Sequence, residues 1–141
     1  MTPTVVLVGT LDTKGEEYAF LREAVERAGC EALVVDVGIV GDPAFAPAVG
    51  RDEVAAAGGA VLADLVAAGD RGAAVATMAA GAAAVVVGLF AAGRLDGVLG
   101  AAGSGGSSII SRAMRALPVG VPKVLVSTMA AGDVGAFVGT S

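Results

Sequence analysis

Histidine and tryptophan are absent from this 141-residue sequence, cysteine occurs once, and lysine stands only at Lys14 and Lys123. Each shortage excludes a class of function. Without histidine the chain holds no Ser-His-Asp or Cys-His apparatus and no Cys/His set for a structural zinc. The single thiol, Cys30, forms no internal disulfide, and the start Met1-Thr2-Pro3 runs straight into an apolar segment, which fits a cytoplasmic location. Cys30 lies just before an apolar run and reads as a buried, inert thiol. The net charge is -5 and the arginines are scattered, so the basic stripe that a phosphate backbone requires is missing. Tyr18, Phe20, Phe45, Phe90 and Phe137 are too dispersed to offer a stacking platform for a single strand. Nucleic acid is therefore not an expected partner.

What the chain has in abundance is apolar residues, 55% against 16% charged. That composition predicts one domain over residues 1–141 with a substantial core and with apolar surface left over. The surplus is expected to be covered by another copy, making a homo-oligomer, or by a continuation of the chain into a second lobe. Between Arg71 and Arg94 there are 22 uncharged residues, the length of a membrane span. Most are Ala and Gly, and a strand-and-loop pattern follows at once, so the segment reads as a helix buried between sheet and partner, with no membrane role.

Periodicity gives the order of elements. Thr4-Val5-Val6-Leu7-Val8 is a continuous β-branched run ending at Gly9, the pattern of a parallel strand buried on both faces. Gly15 to Ala28 has helical spacing with Glu16 and Glu17 in its first turn and Arg27 in its last, and Gly29 stops it. Ala32 to Val35 is a second strand closing at Asp36-Val37-Gly38. A Pro-containing loop over 41–50 leads to a short helix capped by Asp52, a second helical stretch over 61–68, and the long helix from Arg71 to Ala92. Asp96 to Gly100 is a third strand, Ser107 to Leu117 a helix, and Lys123 to Val126 a fourth strand. The alternation predicts an α/β, Rossmann-like three-layer sandwich around a mainly parallel sheet of about four strands.

In such a sheet the loops at the strand carboxyl ends gather at one edge, where ligands bind. Three of these loops are rich in Gly, Ser and Thr. The first is Gly9-Thr10-Leu11-Asp12-Thr13-Lys14-Gly15, the second Gly103-Ser104-Gly105-Gly106-Ser107-Ser108, the third Ser127-Thr128-Met129-Ala130-Ala131-Gly132-Asp133. Glycine lets backbone amides approach an oxyanion, hydroxyls add donors, and a helix N-terminus adds partial positive charge. The first loop lacks the Gly-Lys-Ser/Thr triplet of a P-loop, yet Asp12, Thr13 and Lys14 are the residue types that a phosphoanhydride with Mg²⁺ needs. Capping of the first helix by Asp12 or Thr13 is the alternative. Asp36 stands where a carboxylate accepts from a ribose in dinucleotide folds, or else it caps a turn. Ser104 sits at a strand-to-helix turn as in a nucleophile elbow, but without a histidine it reads as an anion donor, with Ser107. Ser127, Thr128, Gly132 and Asp133 fit either a metal-phosphate contact or a hydrogen-bonded loop crossing. Arg71 reads as a solvated arginine.

These segments, with Arg71-Gly72, the run from Ala113 to Lys123, and Val138-Gly139-Thr140-Ser141, resemble the uncharacterised family related to the tomato mosaic virus resistance protein, whose amino-terminal region is described as an ATP-binding domain. The resemblance covers nearly all of the chain. It implies a longer, two-lobed α/β protein of which this is the first lobe, with ATP among the glycine-rich loops and dimers expected. Where the family has Gly-Gly-Ser-Gly-Gly-Thr in the central loop, this chain has Ala102 and Ser107 at the first and last places. The function expected is a nucleotide-binding lobe, with ATP and Mg²⁺ at Asp12 or Asp133. The alternatives are an oligomerising scaffold or regulatory module, and a hydrolase or lyase acting on a small anionic metabolite.

Overall fold

The computed structural model describes residues 2–127. The chain runs β1 (Thr4–Gly9), α1 (Gly15–Arg27), β2 (Glu31–Asp36), α2 (Arg51–Ala57), α3 (Leu62–Ala68), α4 (Arg71–Ala91), β3 (Gly97–Ala102), α5 (Ser104–Arg115) and β4 (Lys123–Ser127). The sheet has four strands in the order β2-β1-β3-β4, and every neighbouring pair is parallel. This is the Rossmann-like α/β sandwich that the alternation predicts.

Strand side chains alternate between the two faces of the sheet, and both faces are apolar. Val6 and Val8 of β1 point with Leu33, Val35, Val98 and Ala102 into the larger core under α2, α4 and α5. Leu7 and Val34 point the other way and meet Tyr18, Leu21 and Val25 of α1. In α4 the buried positions Ala74, Met78, Ala82, Val86 and Leu89 recur at helical spacing. By length and composition α4 is the one helix among the described residues able to cross a membrane, but this face lies in the core against α2 and α5. Its other side carries Val87 and Phe90 on the surface.

Several boundaries differ from the sequence-based expectations. β3 continues to Ala102, because Gly100 is a mid-strand position over which α5 packs. A Cβ there would lie 2.8 Å from Ile110 Cγ2 and 3.2 Å from the Val8 carbonyl oxygen. Accordingly α5 begins at Ser104, and the Ser/Gly run beyond Gly103 is its first turn. Asp52 is inside α2, whose N-cap is Gly50, while α4 is capped by Asp70, which accepts from the Ala73 amide at 3.0 Å. Cys30 is only half-buried.

The topology fixes where a crevice forms. From β1 the chain steps to β2 through α1 on one face, and from β2 it crosses back over β1 to β3 through α2, α3 and α4 on the other. The direction of winding thus reverses between β1 and β3, the place where open α/β sheets bind ligands.

Candidate functional site

At the reversal point the strands separate before they end. Pairing of β1 with β3 stops at Leu7 and Leu99, whereas β1 stays paired to β2 as far as Gly9 and Asp36. Tyr18, reaching in from α1, fills the gap. Its hydroxyl accepts from the Ala101 amide at 2.8 Å and donates to the Val8 carbonyl, with the Ala101 carbonyl oxygen 3.0 Å away. The ring passes directly over Gly9, where a Cβ would stand 2.0 Å from Tyr18 Cζ. Burial pushes the phenol up to about 12 from 10.0, the Ala101 hydrogen bond working against this and Glu17 adding to it.

On the β2 side the loops are locked by one arginine and two carboxylates. Asp36 is fully buried. Its Oδ1 accepts from the amides of Gly38 at 2.9 Å and Leu11 at 3.2 Å. Arg51 donates from Nε to Asp36 Oδ2 at 2.9 Å, and its Nη2 lies 2.9 Å from the same oxygen as an ion pair. Nη1 donates to the Gly41 carbonyl and lies 3.7 Å from Asp12 Oδ2. That oxygen accepts from the amides of Val40 at 2.8 Å and Gly41 at 3.0 Å. Asp12 Oδ1 is buried without a hydrogen-bond partner, pressed against Gly38, where a Cβ would come within 2.6 Å of it.

Above the carboxyl edge lies a cavity of about 460 Å³. Thr10, Asp12, Thr13 and Lys14 form one wall, Gly38 to Val40 a second, Gly103, Gly106 and Ile109 a third, and Leu65, Val66, Arg71, Val75 and Met78 from α3 and α4 close it. The hydroxyls of Thr10 and Thr13 are 2.6 Å apart, and Lys14 Nζ is only 3.9 Å from Glu17 Oε2, a loose pair on a partly exposed chain. Three helices begin at this cavity, α1 at Gly15, α4 at Arg71 and α5 at Ser104, so their amide ends add positive potential to Lys14 and Arg71.

The residues expected from sequence divide accordingly. Thr10, Asp12, Thr13, Lys14, Gly103 and Gly106 meet around the cavity. Ser104 and Gly105 belong to the opening turn of α5, and Ser127 ends β4. Gly9 serves the Tyr18 ring. Of the two readings of Asp36, ribose acceptor and turn cap, its placement corresponds to the cap: it has no exposed surface and its oxygens serve Leu11, Gly38 and Arg51. Ser107 donates to the Gly103 carbonyl at 2.7 Å, within the first turn of α5. Neither Asp12 nor Thr13 caps α1, whose N-cap is Lys14. Thr128, Gly132 and Asp133 lie outside the described residues.

Asp12 does not fit a Mg²⁺ ligand, since Oδ2 is committed to two amides beside a guanidinium and Oδ1 is sealed against Gly38. Among the described residues no group of three or more acidic, His or Cys side chains gathers as a metal site. The sequence reading missed Arg51 and Tyr18, and it set Arg71 aside although Arg71 lines the cavity. A helix-borne tyrosine reads as ordinary core, and an ion pair between distant loops leaves no local pattern. Ala102 is accommodated where the resembling family has glycine: it is buried, and its Cβ sits 2.8 Å from where a Cβ on Gly106 would be.

Fold and cavity together define a parallel α/β domain with a ligand-type crevice at its switch point. Residues 3–141 match the model of the Uncharacterised protein family (UPF0261) N-terminal domain, and the chain belongs to that family. It is 46% identical over 139 residues to a UPF0261 protein of Clostridium tetani, covering 99% of this chain and 34% of that protein. It is 43% identical over 137 residues to a UPF0261 protein of Rhizobium meliloti, covering 97% and 33% respectively. A shorter stretch, 47 residues at 53% identity, matches the ToMV resistance protein Tm-1 of Solanum lycopersicum, covering 33% of this chain and 6% of that protein. The chain thus spans about a third of the length of the bacterial relatives.

Proposed function

We propose that this domain binds a nucleotide, ATP in the first instance, with the phosphates at the cavity edge formed by Thr10, Thr13, Lys14, Gly103 and Gly106. One observation carries the reading: the β1–α1 loop and the amide end of α5 converge on a 460 Å³ cavity at the switch point of a parallel sheet. That volume lies in the usual range of small-molecule sites. The Thr10–Thr13 hydroxyl pair offers one donor, Lys14 a point charge, and the opening turn of α5 its helix-end amides, the combination that suits a phosphate. Mg²⁺, if it accompanies the nucleotide, would be carried by phosphate oxygens and water, as is usual for this ion. In this reading the domain acts in the cytoplasm as part of a longer, homo-oligomeric protein.

Calorimetric titration with ATP, with and without Mg²⁺, tests the proposal. Lys14→Ala is expected to weaken binding by about tenfold or more, since a hydrogen bond to a charged group contributes roughly 1.5–3 kcal/mol. Unchanged affinity would remove Lys14 from the site. A second reading, a small anionic metabolite with an apolar body, draws on the α3–α4 wall of Leu65, Val66, Val75 and Met78, which offers hydrocarbon rather than aromatic rings to a base. Absence of any ATP binding favours that reading.

A further inference from the structure

The two faces of the sheet are not equally covered. α2, α4 and α5 share one face, while α1 is alone on the other and packs over β1 and β2. Among the described residues no helix covers the half-sheet formed by β3 and β4 on the α1 side. Val124 and Val126 are 53% and 56% exposed there, and Phe20, projecting from α1 beside them, is 62% exposed. Leu99, Ala101 and Val126 line a groove of about 510 Å³ along α1, with Glu16 and Glu17 at its rim. Among the described residues no strand pairs with β4 on the side away from β3.

Parallel strands are buried on both faces in nearly every known sheet, because each face presents a row of branched apolar side chains to its neighbour. A β3–β4 face that the described residues leave bare is thus an interface. From outside residues 1–141 two occupants compete: a second copy of this domain and the polypeptide that makes the relatives about three times as long. The rim decides between them. A second copy seated face to face would bring its own Glu16 and Glu17 to a groove already lined by that pair, and like charges at a desolvating contact cost affinity. A different segment is free to carry complementary basic residues.

We infer that the β3–β4 face and the Phe20 side of α1 form the intramolecular seat for the part of the protein that follows residue 141, with an apolar surface against Phe20 and Val126 and basic side chains opposite Glu16 and Glu17. The test uses the protein made from its natural reading frame. Val126→Cys and, as a second variant, Val124→Cys are pulse-labelled with a thiol reagent and read by site-resolved mass spectrometry beside Val119→Cys, a fully exposed reference in the turn before β4. Labelling at positions 124 and 126 is expected to run at least about tenfold slower than at 119, since a covered thiol reacts only through opening. The protection should not change on dilution. A photo-crosslinking phenylalanine placed at position 20 should join peptides beyond residue 141 of the same chain. Equal labelling rates, protection that fades on dilution, or crosslinks confined to a second copy or to residues 128–141 would each overturn the inference.

Discussion

Replacing Tyr18 by Phe removes a single oxygen and tests the central joint of the fold. The hydroxyl serves the Ala101 amide and the Val8 carbonyl where β1 and β3 have already parted, so no strand partner stands ready to replace it. Each buried backbone group left without a partner costs about 1–3 kcal/mol, giving roughly 3 kcal/mol for the pair. For a domain of this size that is a fall in Tm on the order of 10 °C. Tyr18 is the one tyrosine in the chain, so tyrosinate absorbance reports on it alone. Burial raises its pKa from 10.0 to about 12, which means that the unfolded chain releases this proton first. The contribution is complete below pH 10 and is lost as the pH rises through 12, a drop of up to about 2–3 kcal/mol. Urea titrations of both proteins across this range should therefore show the wild-type advantage shrinking as the pH rises. An unchanged advantage from neutral to strongly alkaline pH, or a phenol that titrates at its ordinary value in the folded protein, would refute the reasoning.

The other perturbations follow the same geometry. Arg51→Met should cost about 3 kcal/mol in urea unfolding, because it strands Asp36 and Asp12 without their cation, and Arg51→Lys should restore only part of the loss, since one ammonium cannot serve Asp36, Asp12 and the Gly41 carbonyl together. Gly9→Ala should destabilise by about 3 kcal/mol or more by evicting the Tyr18 ring, whereas Gly50→Ala, whose Cβ meets open space, should stay within about 1 kcal/mol in the same assay. Loss of ATP affinity in Lys14→Ala, with an unfolding curve close to wild type, is the expected signature of a residue that lines the cavity from a partly exposed position.

Much of the architecture was legible because the relevant forces are local. β1 and β2 are continuous apolar runs, α1 has its acids first and its base last, and the glycine after α1 stops it. The gathering of loops at one edge follows from parallel strands alone. The start of α5 was not legible, because Ser104-Gly105-Gly106-Ser107 has poor helix propensity and is held helical by Ile109, Ile110 and Ala113 packing on β3. Nor was the use of Asp36: a carboxylate at the end of β2 looks the same in sequence whether it meets a ribose or an arginine. Arg51 lies 15 residues from Asp36, on a helix whose approach to the strand end is a tertiary event.

The way the acidic residues are spent bears on what the crevice can recognise. Of the carboxylates around it, Asp36 is enclosed, Asp12 holds the 40–41 turn beside Arg51, and Asp70 caps α4 through the Ala73 amide. All three therefore serve the protein's own amides and guanidinium group. What remains toward the cavity is of the opposite character: Lys14, Arg71, the hydroxyls of Thr10 and Thr13, and the amide ends of α1, α4 and α5. A chain with net charge -5 has thus tied its local negative charge into loop structure where the N-termini of α1, α4 and α5 meet. A cationic ligand would find few free acceptors there, while an anion would find donors on several sides, which is why the functional reading rests on an anion whatever the rest of the ligand is.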